Sequence, residues 1–177
     1  MKLVSSLEDF CYDSGMTFTQ KYTIISPLEP ISEGQVFESS NWPMHVTLAD
    51  TFAIDSIQDD FISKLSTSSE GRSVKISGER TAYFGRKKEV EVTLLHLSKD
   101  LVELHYVVVG LLLDKGASFN DPQYTKSGYI GHVTKQKSGY LNVRESRELN
   151  SLALIDMFPG GNPYLREVIK IIDINKS

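Results

Sequence analysis

The tripeptide His-Val-Thr occurs twice in the sequence, at positions 45–47 and 132–134, about half a chain length apart. Side chains alternate between the two faces of a β-strand, so a histidine and a threonine two positions apart project from the same face. An imidazole has an ordinary pKa of about 6.5 and can accept or donate a proton near neutral pH. A hydroxyl beside it can donate a hydrogen bond to a phosphate oxygen. The residues that could perform acid–base chemistry on a phosphoester are His45, Thr47, His132 and Thr134.

For either motif alone, the favoured interpretation is an ordinary strand histidine whose ring is hydrogen-bonded to a backbone carbonyl. The pair favours a composite site, because both motifs have valine in the middle, lie in segments of strand composition and follow a loop that contains aromatic residues. If the two strands lie side by side across a groove, two imidazoles can flank one phosphorus atom while two hydroxyls bind its nonbridging oxygens. Such chemistry needs no metal ion, and the sequence has no Cys/His cluster with zinc-ligand spacing. We expect neither a metal nor another cofactor, and the sequence does not distinguish the base from the acid.

Segments rich in β-branched and aromatic residues position both motifs. The first motif lies near the start of a predicted strand over 44–52, and the second lies inside a predicted strand over 129–136. Further strands are predicted at 21–28, 73–84, 90–97, 149–157 and 164–174. A polar turn containing Gly85 joins two of these, 73–84 and 90–97, so we expect them to form a hairpin.

Apolar residues at helical spacing predict three helices. The first begins near Leu3 and ends near Gly15, and the second follows a capping box formed by Asp55 and Gln58. The third has the clearest apolar stripe, begins at a Ser98 cap and ends near 115–116. Helices mixed with strands and at least one hairpin predict an α+β fold. A length of 177 residues with 40% hydrophobic residues predicts a single domain over 1–177.

Composition limits the partners and the location. The formal net charge of -4 provides no global basic field to hold duplex DNA, although local charge can still bind a small anion. Cys11 is the single cysteine, so the sequence has no intrachain disulfide and a reducing compartment is expected. The N-terminus lacks a signal-peptide core, and no stretch approaches the roughly 18 apolar residues of a membrane span. We therefore expect a soluble, cytoplasmic protein that does not bind membranes.

With HVTL at 45–48 and HVTK at 132–135, the sequence resembles the two-histidine (2H) phosphoesterase superfamily, especially its 2'-5' RNA ligase branch, which includes cyclic phosphodiesterases. The resemblance implies a bilobal, pseudo-twofold fold of two antiparallel sheets with helices on the outside. Each lobe would contribute one motif to a central cleft. It also implies metal-independent cleavage or transfer at phosphodiester bonds. Lys135 departs from the apolar residue that is common there, and strand alternation predicts that it is exposed on the other face.

The resemblance implies a nucleotide or a short RNA as substrate, carrying a 2',3'-cyclic phosphate, a 2'-5' linkage or an RNA end. Two alternatives stay open: a noncatalytic module that binds nucleotides or RNA ends, and a hydrolase of cyclic-oligonucleotide signals. The sequence does not fix the substrate, because its identity depends on the loops at 29–43, 117–128 and 137–147. It also leaves open the direction as hydrolase or ligase and the oligomeric state.

Other residues have both a functional and an ordinary interpretation. We expect His96, on a predicted strand, and His105, on the stripe of the third helix, to pack in the core or at its boundary. The Gly160-Gly161 pair is interpreted as a turn. Aromatic residues that precede the motifs could stack on bases or pack in the core: Phe37, Trp42, Phe119, Tyr124 and Tyr129. Two basic groups could steer a phosphate, but solvated turns are the favoured interpretation: Arg80, Arg86, Lys87 and Lys88, then Lys135, Lys137, Arg144 and Arg147.

Overall fold

The computed structural model describes residues 20–175, and the predicted N-terminal helix and Cys11 lie outside them. Along the described chain, two α-helices interrupt a series of ten strands. The helices are α1 (Asp59–Ser69) and α2 (Lys99–Asp114). The strands are β1 (Lys21–Pro27), β2 (Val36–Glu38), β3 (His45–Ala53), β4 (Val74–Phe84), β5 (Val90–Leu95), β6 (Ser118–Phe119), β7 (His132–Thr134), β8 (Ser146–Leu149), β9 (Ser151–Asp156) and β10 (Leu165–Asp173).

All strand pairs are antiparallel, and the sheet curls into a half-barrel. The strand order is β2-β10-β9-β1-β3-β7-β5-β4-β8, with β6 paired to β3. The predicted hairpin is formed by β4 and β5. The two motif strands, β3 and β7, are neighbours at the centre. The predicted α+β class is confirmed, and the sheets of the two halves are joined edge to edge into one.

The larger hydrophobic core lies on the face of the sheet that carries the valines of the two motifs. Val46 and Val133 are both buried there, together with Phe61 of α1 and Leu104 of α2. Both helices therefore pack on the face opposite the motif histidines. A smaller cluster covers the other face of β1, β9 and β10 and is closed by the loop before β3, which contributes Trp42.

Helix α2 forms as its sequence predicts. Ser98 is the N-cap, and its hydroxyl accepts a hydrogen bond from the Leu101 N–H at 3.3 Å. The chain leaves the helix through Gly116, which has a φ of +80° that favours glycine. Helix α1 differs from the prediction, because it begins at Asp59 with Gln58 as its N-cap. Asp55 lies four positions before the helix, too far to cap it, so the predicted capping box is wrong.

Two predicted strands also differ from the observed ones. The strand predicted at 149–157 is interrupted at Asn150: Leu149 is the last residue of β8, which pairs with β4, and Ser151 begins β9, which pairs with β1 and β10. The chain thus crosses from one half of the sheet to the other at this residue. The strand predicted at 129–136 is shortened to β7, and a 3₁₀ turn that ends at Gly128 precedes it. Strands β2 and β6 are short additions that the sequence pattern did not indicate. No helix within residues 20–175 is long and apolar enough to span a membrane.

Gly78 in β4 provides a test of the fold. Its N–H donates to the Glu145 carbonyl and its carbonyl accepts from the Arg144 N–H, so the loop after β7 lies directly on its backbone. A Cβ added at Gly78 would come within 2.3 Å of the Asn142 carbonyl oxygen. We expect Gly78→Ala to lower the free energy of unfolding in urea by about 1–3 kcal/mol, as overpacking does.

Gly110→Ala is the matched control. Gly110 lies inside α2, and an added Cβ would meet no described atom within 4 Å. Alanine there should raise the free energy of unfolding by about 0.5–1 kcal/mol through helix propensity. Equal unfolding midpoints for the two variants would contradict the close approach at Gly78.

Candidate active site

The alternation predicted for the motifs is present in both strands. In β3, Val46 is buried while His45 and Thr47 are partly exposed. In β7, the pattern repeats around the buried Val133. Each strand therefore turns its valine toward the larger core and its histidine and threonine toward the opposite face, which forms a cleft.

The register between β3 and β7 brings the two motifs together. Val46 pairs with Val133 in an antiparallel arrangement. Continuing that register by one residue on each side places His45 opposite Thr134 and Thr47 opposite His132. Directly opposite Cβ atoms lie about 4.5–5.5 Å apart and diagonal ones about 7–8 Å. The two imidazoles thus occupy one diagonal of a small rectangle, and the two hydroxyls occupy the other.

Both histidines are oriented by the same local hydrogen bond. Nδ1 of His45 lies 2.7 Å from the Pro43 carbonyl oxygen, and Nδ1 of His132 lies 2.9 Å from the Ile130 carbonyl oxygen. In each case the partner stands two positions earlier in the chain. A carbonyl can only accept, so Nδ1 carries the hydrogen and donates it. Nε2 is then the nitrogen that can exchange a proton with a ligand, in both rings.

The surroundings of His45 favour its neutral form. Its ring lies 5.0 Å from the Trp42 ring. Burial lowers the pKa of His45 to about 4, opposed by the Pro43 carbonyl and by the negative charge of Glu29, and the proximity of His132 lowers the pKa further. A proton on His132 therefore disfavours a proton on His45. The ring of His132 makes a T-shaped contact with the Phe84 ring, with 5.0 Å between ring centroids.

A bulge in β3 changes which side chains reach the cleft. Ile25 pairs with Thr47 but Ile24 pairs with Ala49, so the register shifts by one residue between them. Leu48 and Ala49 are consequently both buried in the larger core. The next residue, Asp50, is exposed and lines the cleft. In a regular strand, Ala49 would follow Thr47 on this face.

Two side chains support the backbone of the first motif. The Tyr129 hydroxyl donates to the Thr47 carbonyl at 3.0 Å, and Nδ1 of His105 lies 2.7 Å from the Leu48 carbonyl oxygen. Nε2 of His105 accepts from the Lys126 N–H at 2.8 Å, and its ring stacks on Tyr129 at 3.9 Å. Burial lowers the pKa of His105, consistent with a neutral ring that donates at one nitrogen and accepts at the other.

Of the two histidines outside the motifs, His105 is buried as predicted, with 2% of its surface exposed. His96 is exposed just beyond the end of β5, so its predicted packing is wrong because the strand ends one residue earlier. Lys135 is exposed as predicted, and its Nζ pairs with Glu91 at 3.1 Å. The sequence offered no signal for the support by Tyr129 and His105, because both contacts join residues far apart in the chain.

A cavity of about 410 Å³ opens beside the second motif. It is lined by Thr47, Leu48, Asp50, Phe84, Gly85, His105, Tyr124, Thr125, Tyr129, Ile130 and His132. The remaining aromatic candidates take other places: Phe37 and Trp42 pack in the smaller cluster, and Phe119 lies buried against Phe52.

The two basic groups lie on the surface. Of the second group, Lys135 and Arg147 are held by ion pairs, the latter with Glu145 at 2.7 Å. The turn at 86–88 follows Gly85 at the rim of the cavity and is exposed. The Gly160-Gly161 pair forms a turn with positive φ at both residues, as interpreted. Within residues 20–175, no group of three or more His, Cys, Asp or Glu side chains is placed to hold a metal ion.

Comparison with known proteins adds structural neighbours. No protein-family model and no curated protein sequence matches the chain. A crystal structure of a phosphoesterase matches with a TM-score of 0.53 and 13% identity, covering 89% of this chain and 99% of that one. Escherichia coli LigT complexed with NADP+ matches with a TM-score of 0.51 and 13% identity, covering 89% of this chain and 98% of LigT. LigT complexed with 3'-AMP matches with a TM-score of 0.50 and 12% identity, covering 89% of this chain and 99% of LigT. The chain therefore shares its overall fold with these phosphoesterase and LigT structures.

The Tyr129 hydroxyl gives a stability test of the site. Tyr129→Phe leaves the partly buried Thr47 carbonyl without this donor, and we expect the free energy of unfolding to fall by about 1–3 kcal/mol. Tyr124→Phe removes a hydroxyl from a residue that is 47% exposed. This control should change the free energy of unfolding by less than about 0.5 kcal/mol. Urea unfolding followed by circular dichroism measures both, and equal effects would contradict the supporting role of Tyr129.

Proposed function

We propose that this protein is a metal-independent phosphoesterase that acts on nucleotide or RNA phosphodiesters, either 2',3'-cyclic phosphates or 2'-5' linkages, by two-histidine acid–base catalysis. The observation that carries the proposal is the pairing of Val46 with Val133, which aligns two imidazoles and two hydroxyls on one face. The shared fold with a phosphoesterase and with LigT, which is complexed with 3'-AMP in one structure and NADP+ in another, supports it.

In the hydrolysis of a cyclic phosphate, His45 acts as the base and His132 as the acid. At pH 7, His45 is neutral because its pKa is about 4, so its Nε2 can accept the proton of the attacking water. The water oxygen forms a bond to phosphorus as the bond to the leaving ribose oxygen breaks. That oxygen takes a proton from Nε2 of His132. A positive charge on His132 lowers the pKa of His45, so His45 stays neutral while His132 carries the proton that it donates.

Thr47 and Thr134 stabilise the negative charge that develops on the nonbridging oxygens. Each threonine lies opposite the histidine of the other motif in the β3–β7 register. A phosphate between the strands therefore meets one imidazole and one hydroxyl from each side. β-Branching restricts the rotamers of both threonines, so the hydroxyls are oriented before the substrate binds.

Replacement of each histidine tests the proposal. His45→Ala and His132→Ala should each lower kcat/KM for 2',3'-cyclic nucleotides by about 10²- to 10⁴-fold, since each removes a proton-transfer group. His96→Ala is the matched control, because His96 is exposed beyond β5 and does not line the cavity. The rate should persist in EDTA. Full activity in either motif variant would overturn the mechanism, and tight binding of the nucleotides without turnover would favour a noncatalytic binding module.

The pKa of His45 predicts the acid limb of the pH profile. The base works only while His45 is neutral, so kcat/KM should hold as the pH falls below 6.5 and decline as it falls through about 4. Trp42→Ala hydrates the ring and should move this limb toward the ordinary histidine value of about 6.5. An acid limb near 6.5 in the wild-type protein would contradict the assignment of His45 as a neutral base with a lowered pKa.

A further inference from the structure

A cleft that binds only a phosphodiester does not need a carboxylate such as that of Asp50. Its exposed carboxylate shares the cavity with Thr47 and His132. A carboxylate repels a phosphate, so Asp50 must face a part of the ligand that is neutral and rich in hydrogen-bond donors. The argument that follows rests on the proposed function, because it takes the phosphate to lie between the two motifs.

The fold places Asp50 there by a specific device. The bulge at Leu48 and Ala49 turns both of these side chains into the core and brings Asp50 onto the cleft face. Oδ1 of Asp50 accepts the Thr51 N–H at 2.7 Å, which fixes the direction of the carboxylate. Bulges commonly re-aim a side chain beside an active site. The carboxylate is therefore an oriented acceptor and not a freely rotating surface charge.

The rest of the cavity suits a flat aromatic ring. Tyr124 and Ile130 are 47% and 43% exposed, which is a large apolar area to leave in water beside a site for a polar ligand. Phe84 closes the side next to His132. The volume of about 410 Å³ falls within the range of about 300–1,000 Å³ that small-molecule pockets show. Aromatic side chains in such a position stack on nucleobases.

We propose that this cavity binds a guanine base, whose N1–H and exocyclic amino group donate to the Asp50 carboxylate while its ring lies against Tyr124 and Ile130. A carboxylate offers acceptors only. Guanine presents two adjacent donors on its Watson–Crick edge. Adenine and cytosine each place an acceptor beside the amino group, and uracil has one donor between two carbonyls. Guanine is thus the standard base whose edge complements Asp50 best.

Substrates that differ only in their nucleobase test the preference for guanine. Guanosine and inosine 2',3'-cyclic phosphates differ only in the exocyclic amino group, and uridine 2',3'-cyclic phosphate offers a single donor. The wild-type protein should prefer guanosine over inosine in kcat/KM by about tenfold, as expected for one contact of a bidentate pair. Asp50→Asn keeps the size of the side chain and an oxygen for the Thr51 N–H. It should remove that preference and shift selectivity toward xanthosine, whose edge carries a carbonyl at position 2.

Asp121→Asn is the control for loss of a negative charge, because Asp121 adjoins the 3₁₀ turn that carries Tyr124 and does not line the cavity. It should leave the guanosine preference intact. Equal rates for guanosine, inosine and uridine substrates in the wild type, or an unchanged preference in Asp50→Asn, would overturn the inference.

Equilibrium binding separates this inference from the proposed function. Affinities of the wild type and Asp50→Asn for 3'-GMP and 3'-IMP can be measured without turnover. A guanine preference in binding that is lost in Asp50→Asn supports the base pocket even if no cyclic nucleotide is hydrolysed, in which case the proposed catalysis fails alone. Equal affinities, or no binding of either nucleotide, overturn the base pocket even if catalysis depends on both motif histidines.

Discussion

One backbone pairing, Val46 with Val133, makes a single site out of two separate motifs. Along the rest of the described chain, the strands on each side pair mainly within their own half of the sheet. A slip of the β3–β7 register by one residue would turn the imidazole of one strand toward the core, because side chains alternate with a period of two. The burial of both valines opposes such a slip, since either one would then leave the larger core. Packing on one face therefore holds the chemistry in register on the other.

The short pairing between β3 and β7 also creates the cavity. Strand β7 pairs with β3 at Val46, and strand β6 pairs with β3 at Phe52 and Ala53. Between these points, the carbonyls of β3 accept hydrogen bonds from the Tyr129 hydroxyl and the His105 ring. Side chains thus replace a neighbouring strand over this interval, and the space that the strand would fill is open to a ligand. Burial of polar backbone groups without partners is costly, which explains why two donors converge here.

Local patterns predicted local structure well. The Ser98 cap and the alternation around Val46 depend on residues a few positions apart, and the structure confirms both. The features that the sequence could not predict depend on pairing between segments that are distant in the chain. The β8–β9 break at Asn150 exists because the two segments have different partners, and His96 is exposed because β5 ends at the residue before it. Asp50 was not singled out for the same reason: its place in the cleft depends on a bulge in the pairing with β1.

The two interpretations of the motif histidines, an ordinary ring satisfied by a carbonyl and a group that transfers protons, are compatible in this geometry. The carbonyls of Pro43 and Ile130 each occupy Nδ1, which fixes the tautomer and the direction of the ring. Because Nδ1 is held by its hydrogen bond to a carbonyl, Nε2 of each ring faces the cleft. A local hydrogen bond to the residue two positions earlier thus performs in both strands the orienting role that a buried carboxylate performs in a serine protease triad. It does so without adding a negative charge beside the position of an anionic substrate.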